Sequence, residues 1–304
     1  MKAKNSIRSL RLFILLLSGI SVSSCYDDYV ADYDYSTVGF AMTKPYRTVI
    51  ADRDMEIRVG VSIGGKRAVD MNDWATFKID SASVPVGKTL IPRAYFLMSD
   101  STTMKVHKSN LPVADISLTF TDAFYADPLS ITGKYVLPLR ITGSSLDSVY
   151  RDSTIICFKY ISTFHGTYYV KGNLYELDVP GGNAIDTINY ENKDLIKNIT
   201  RDISTIDRHT LLRPGLANFT ATATEKVQLK IVPTDNADKT YSIEVTTATG
   251  GVVITNGSGT YYGNKTNPEM ALEYDFVKGG KNYRVKETLT LRQDPLYDLR
   301  VETW

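Results

Sequence analysis

Ile57-Arg58-Val59-Gly60-Val61-Ser62-Ile63 places an apolar side chain at every second position, with a polar or small residue between. Alternation of period two puts one face of a strand in a core and leaves the other wet, as in an antiparallel sheet. The pattern recurs outward along the chain. Ile116, Leu118 and Phe120 alternate with Ser117 and Thr119, and Val227, Leu229 and Ile231 with Gln228 and Lys230. Tyr241, Ile243 and Val245 repeat it, as do Tyr283, Val285, Leu289 and Leu291. Turn signals separate the runs: Gly64-Gly65, Pro180-Gly181-Gly182, Gly250-Gly251, Asn256-Gly257 and Gly279-Gly280. No stretch of convincing length has a helical period. Tyr190 to Leu212 is the one ambiguous region, open to a short helix or an irregular loop. The expected class is all-β.

Composition agrees. Of 304 residues, 43% are hydrophobic and 23% charged, which suits a packed chain and not a disordered one. Lys2, Lys4, Arg8 and Arg11 stand in the first 24 residues, which hold no acid. The remaining 280 residues carry 31 cations against 34 acids, a net charge of −3. Phosphate binding needs a basic surface, so no nucleic-acid partner is expected.

Those four cations precede a short apolar run, Leu12-Phe13-Ile14-Leu15-Leu16-Leu17, and then Val22-Ser23-Ser24-Cys25. The run is about half the ~20 residues a membrane span requires, so it is expected to be a cleaved export signal, residues 1–24. Val-Ser-Ser-Cys resembles a bacterial lipobox, which implies lipidation of Cys25 and anchoring to the outer membrane by acyl chains. Residues 25–35, rich in Asp and Tyr, form an acidic tether. They resemble the export signal that sends Bacteroidetes lipoproteins to the cell surface. Once Cys25 is acylated, Cys157 has no intrachain partner. It lies in the apolar run Ile155-Ile156-Cys157-Phe158 and is expected to be a buried thiol.

The rest divides near Ile161-Ser162-Thr163. Residues 36–161 are expected to form an Ig-like β-sandwich of about seven strands. Residues 162–304 are expected to form an antiparallel β-barrel or a second sandwich. Phe164-His165-Gly166-Thr167-Tyr168-Tyr169-Val170-Lys171-Gly172 resembles the first strand of lipocalin-like barrels, where Gly beside an aromatic lets the strand bend.

Two segments carry a family resemblance. Ala82-Ser83-Val84-Pro85-Val86-Gly87-Lys88 is similar to a strand followed by an Ile-Pro-x-Gly turn, with Val84 in place of Ile. Gly133-Lys134-Tyr135-Val136-Leu137-Pro138-Leu139-Arg140-Ile141-Thr142 is similar to a Tyr-x-Leu-Pro-Leu-x-Ile strand. Both resemble domain of unknown function 1735, found in surface lipoproteins of Sus-like polysaccharide-utilisation systems. The resemblance implies a glycan-capturing accessory lipoprotein, with a Sus-like transporter complex as a further partner. Read from the residues alone, Tyr135, Leu137, Leu139 and Ile141 share a buried face. Pro138 cannot donate to a ladder, so this strand is expected at an edge or a bulge.

Catalytic signals are missing. His107, His165 and His209 are scattered without metal-ligand spacing, so no metal and no cofactor are expected. Neither a phosphate-binding Gly-rich loop nor a Gly-x-Ser-x-Gly elbow occurs. Asp202 and Asp207 are the nearest thing to a carboxylate pair, and read as ordinary solvated acids. Residues 162–304 are too few for a (β/α)₈ glycosidase barrel of ~250 residues. Aromatics remain. Flat rings match the apolar faces of sugars, and polar side chains match their hydroxyls. Trp74, Tyr190 and the pair Tyr261-Tyr262 stand in polar or turn-like surroundings and are the candidate ligand-binding residues. Adjacent strand residues point to opposite faces, so at most one of Tyr261 and Tyr262 is exposed if the strand continues. The expected function is non-catalytic binding of polysaccharide or oligosaccharide at the cell surface. The alternative is a structural subunit docking on an outer-membrane transporter or adhesion complex without sugar affinity.

Overall fold

The first strand, β1 (Thr37–Phe40), is followed by β2 (Pro45–Ile50), β3 (Ile57–Gly64), β4 (Trp74–Ile79) and β5 (Thr89–Leu90). The sheet continues with β6 (Phe96–Met98), β7 (Thr103–Val106), β8 (Val113–Phe120), a short helix α1 (Asp122–Ala126), β9 (Tyr135–Ser144), β10 (Ser148–Arg151) and β11 (Ser153–Ile161). This computed structural model describes residues 35–53, 56–66, 69–219, 225–232, 237–248, 252–299 and 302–304. The export signal, Cys25, nearly all of the acidic tether and the Gly250-Gly251 turn lie outside them.

These strands form one hydrogen-bonded path, β10-β1-β3-β8-β7-β4-β9-β11-β2, with β5 and β6 as short side branches. The sheet curls so that both halves face one apolar core. Val59, Val61, Ile116 and Leu118 from one half meet Phe77, Leu137, Leu139 and Phe158 from the other. It holds more strands than the seven expected, because β5, β6, β7 and β10 are only two to four residues long. Such pieces are too short to show alternation.

Pro138 corrects one expectation. Its strand β9 is interior, flanked by β11 on one side and by β4 and β5 on the other. On that second side, the β4 ladder ends at Ile79↔Leu139 and β5 begins at Leu90↔Val136. Pro138 sits where one neighbour hands over to the next, so its missing donor breaks no ladder.

The chain then enters β12 (Gly166–Leu177) and β13 (Ala184–Asn189), followed by β14 (Ile199–Thr205), β15 (Thr210–Pro214), β16 (Lys226–Val232) and β17 (Thr240–Thr247). Next come β18 (Ile254–Tyr262), β19 (Glu269–Lys278) and β20 (Lys281–Leu291). Consecutive strands pair antiparallel from β14 to β20, and β12 pairs with both β14 and β20. Eight strands therefore close a barrel, with β13 appended to the far half of β12. Gly172 permits the tight approach of β12 to β20: a Cβ there would stand 2.3 Å from the Lys286 carbonyl oxygen. Closure settles the second region as a barrel and not a sandwich. Tyr190 to Leu212 turns out to be a 3-10 turn, Leu195–Lys197, followed by β14 and the start of β15.

After the barrel, helix α2 (Pro295–Asp298) leads to β21 (Glu302–Thr303), which returns to the N-terminal sheet and pairs with β2. Trp304 follows. Its indole N–H donates to Ile155 O at 3.3 Å, and the Lys44 and Lys88 ammonium groups stand 5.1 and 4.6 Å from its ring centroid.

Candidate functional site

β2 and β11 run parallel and end side by side at Ile50↔Ile161. The chain leaves β2 through Asp52, whose φ of 60° lies in the left-handed region that Asp tolerates better than most residues. It leaves β11 through Ser162-Thr163-Phe164 into the barrel. The two exits, the β14–β15 turn and the segment before α2 enclose a cleft of about 570 Å³.

One wall is aromatic. Tyr241 on β17 pairs with Tyr261 on β18, and their rings stack with centroids 5.9 Å apart. Phe164 meets Tyr261 edge-on at 4.8 Å and Tyr241 at 6.0 Å. Burial pushes the Tyr261 hydroxyl up to about 12, so it stays a neutral donor.

The other wall is polar and comes from both regions. Arg53 donates from Nη2 to Asp294 Oδ2 at 2.8 Å and from Nε to Thr163 Oγ1 at 3.2 Å. Asp294 is itself fixed, because its side chain caps α2 by accepting from the Leu296 N–H. His209 Nε2 lies 3.2 Å from Asp52 Oδ2. Its neighbour Arg208 donates from Nε to Asp52 Oδ1 at 2.8 Å and from Nη1 to Asp122 Oδ1 at 2.7 Å. Hydrogen bonding to Asp52 raises the Arg208 guanidinium above its usual value. Asp207 shapes this turn, its carboxylate accepting from the His209 and Thr210 amides. Lys239 stands exposed at the rim with φ 51°, its carbonyl accepting from the Gly263 N–H. Among the described residues its ammonium makes no ion pair.

The four aromatic candidates go to four places. Tyr261 lines the cleft, 8% exposed. Tyr262, one residue on, faces the outer barrel wall, with Lys265 Nζ 4.9 Å from its ring. Trp74 opens β4 in the N-terminal sheet, 37% exposed, its amide donating to Ser145 Oγ. Tyr190 lies beside the barrel interior and donates to Glu287 Oε2 at 3.0 Å. The two acids considered as a pair have separate tasks: Asp202 accepts from Thr167 Oγ1, and Asp207 holds its turn.

The barrel interior is filled. Arg213 and Glu287 are fully buried and paired at 3.0 Å. Tyr274 donates to the other Glu287 oxygen at 3.0 Å and accepts from the Ala217 amide. Leu216 and Ala217 are buried in the same core. Among the described residues, no group of His, Cys, Asp or Glu is arranged to hold a metal ion. Among them too, no helix is long and apolar enough to cross a membrane.

Sequence reasoning missed Asp52, Arg53, Arg208, His209 and Asp294. They come from three distant segments, and only the Asp294-Pro295 pair carries a local signal, that of a helix start.

Together these features define an all-β protein in which a curled sheet and a closed barrel both line one cleft. The fold is similar to that of a structural-genomics protein of unknown function from Bacteroides ovatus. The two are 20% identical with a TM-score of 0.69, and the match covers 90% of this chain and 100% of that one. Two other Bacteroides ovatus structures align more loosely, each at 12% identity. One, of unknown function, has a TM-score of 0.39 over 85% of this chain and 94% of its own. The other, a multidomain protein including DUF1735, has a TM-score of 0.37 over 89% and 100%. No family model and no curated protein matches the chain.

Proposed function

We propose that this chain is a non-catalytic, lipid-anchored surface protein that captures glycan in the cleft between sheet and barrel. One observation carries the reading: the aromatic wall of Phe164, Tyr241 and Tyr261 faces hydrogen-bonding groups of Arg53, His209, Asp294 and Lys239. Sugars need that pairing of flat apolar faces with polar edges. A volume of about 570 Å³ suits a short oligosaccharide segment. The lipobox and acidic tether supply the address, and the resemblance of two segments to domain of unknown function 1735 supplies the context of polysaccharide use.

A glycan screen of residues 26–304, followed by calorimetry, tests the reading. Tyr241→Ala is expected to weaken binding tenfold or more, and Trp74→Ala, remote from the cleft, to leave it unchanged. Folded protein that retains no polysaccharide, or that binds equally well after Tyr241→Ala, refutes it. Turnover of a bound glycan would refute the non-catalytic half.

A further inference from the structure

The curled sheet stops short of closing. β1 covers β3 only from Val61 to Gly64, and β21 covers β2 only at Pro45 and Tyr46. Residues of β2 and β3 line a cavity of about 100 Å³, which shares no lining residue with the cleft. Its wall is largely apolar, built on Phe40, Met42, Pro45, Val59 and Ile156, and no Asp or Glu lines it.

Two arginines border this cavity. Arg58 is turned to carboxylates, Glu56 at 3.2 Å and Asp115 at 3.5 Å, and its side chain is 60% exposed. Arg47 is different. It stands two residues before Val49, a core residue, and so projects from the same inward side of β2. It is half-buried. Other arginines drawn into the fold have carboxylate partners: Arg53 has Asp294, Arg208 has Asp52, Arg213 has Glu287 and Arg284 has Asp275. Among the described residues Arg47 has no ion pair and no side-chain hydrogen bond. The carbonyl groups of the neighbouring wall are already engaged. Arg151 donates to Phe40 O and Ala41 O, and the Thr154 hydroxyl donates to Met42 O. Burial alone acts on the Arg47 guanidinium, pulling it below its usual value. Withdrawing a charge from water is costly unless a partner meets it.

We propose that this cavity binds a short-chain monocarboxylate, its carboxylate on the Arg47 fork and its hydrocarbon tail against the apolar wall. A guanidinium presents parallel N–H donors that match the two oxygens of a carboxylate. Sulfate and phosphate would lose water against the apolar wall without gaining donors there. A sugar acid would set hydroxyls against the same wall, at the same cost. Size narrows the class further. An apolar cavity of about 150 Å³ holds benzene, so one of about 100 Å³ encloses roughly four or five non-hydrogen atoms, the size of acetate or propionate. The site is independent of glycan capture in the cleft, and either can fail without the other.

Calorimetric titration of residues 26–304 with propionate tests this, with glucuronate and sulfate as comparisons. Propionate is expected to bind saturably at one site per chain, and glucuronate and sulfate clearly more weakly. Arg47→Met keeps the length of the side chain, removes its charge and is expected to abolish propionate binding. Arg47→Lys keeps the charge but loses the fork, and is expected to weaken binding about tenfold or more. Circular dichroism confirms that each variant is folded, and Arg47→Lys decides the matter if Arg47→Met is not. Wild-type protein that takes up no propionate overturns the proposal. So does propionate binding that is unchanged in the folded variants. Glucuronate or sulfate binding as tightly as propionate overturns the assigned ligand class.

Discussion

The N-terminal sheet and the barrel solve opposite problems. The curled sheet is open, so its two halves can settle at whatever distance its side chains fill. Its core is accordingly apolar, with aromatic rings such as Phe120, Phe124 and Phe158 meeting at 4.4 to 5.1 Å. Its cost lies at its ends, one of which needs β21 and Trp304 as a cover. The barrel has no such ends along its closed wall, but strand number and stagger fix its radius. A fixed interior has to be filled by reach. Arg213, Tyr168, Tyr274 and Phe276 are among its largest fully buried side chains. Long side chains bring polar tips inside, and those tips must satisfy one another. Closure thus exchanges an edge problem for a buried-charge problem.

The sharpest way to break the contrast is Glu287→Ala. It leaves the Arg213 guanidinium buried without its carboxylate and takes the acceptor from Tyr190 and Tyr274. Removing one partner of a buried pair costs about 3–5 kcal/mol. Urea unfolding is expected to show a loss of that size in the barrel. Replacing both charges, as Arg213→Met with Glu287→Leu, is expected to cost clearly less than Glu287→Ala alone. If the single change costs under ~1 kcal/mol, the pair is not what fills the barrel.

The same buried charges explain what the sequence concealed. Where inward positions are apolar, as in β3, β8 and β16, alternation is legible and the strands fall where expected. In β14 the residues on the inward side are Ile199, Arg201 and Ile203, and in β15 they are Leu211 and Arg213. An inward arginine breaks the apolar rhythm, so Tyr190 to Leu212 resembles a loop until closure is seen. Tyr190 itself, set among Asn189, Glu191 and Asn192, has the surroundings of a surface ring. Only Glu287, nearly a hundred residues away, draws it in. The cleft was hidden for a related reason: alternation reports which face a residue takes, not which distant turn it meets. Of its aromatic wall, only Tyr261 was singled out.

Acid is expected to act unevenly on the two regions, with a smaller effect than Glu287→Ala. Asp80, Asp100 and Asp147 are held below the ordinary carboxylate range by hydrogen bonds from Arg140, the Thr102 amide and the Ser36 hydroxyl, respectively. Burial works against ionisation of Asp73 and Asp127, yet bonds from Lys66 and Tyr135 bring these below it too. All five lie in the N-terminal region, in the connections between its strands. A lowered folded value means that the stabilisation is complete above the unfolded value of about 3.9 and is lost as pH falls through the folded values. The N-terminal sheet is therefore expected to weaken as pH drops below about 4. Both tryptophans, Trp74 and Trp304, pack on this sheet, so tryptophan fluorescence follows it selectively. A tryptophan signal that remains native while the barrel's tyrosine signal is lost on acidification would reverse the comparison.

The smallest effect is expected where the two regions meet. Arg208 reaches from the barrel to Asp52 and Asp122 of the sheet, but its guanidinium is 31% exposed and Asp122 is 89% exposed. Ion pairs this wet contribute about 0–1 kcal/mol each. The connection has other supports: the Ser162 hydroxyl donates to Arg208 O at 2.8 Å, and the Ser162 amide donates to Thr205 Oγ1 at 2.9 Å. Neither bond involves the guanidinium. Arg208→Ala is thus expected to lower stability by about 1 kcal/mol or less. Hydrogen exchange at the Ser162 amide should be unchanged. If this amide instead became freely exchanging, the guanidinium would be holding the junction itself. The cleft would then depend on a charge clamp, and the two regions would be joined by electrostatics where the backbone geometry says they are joined by the linker.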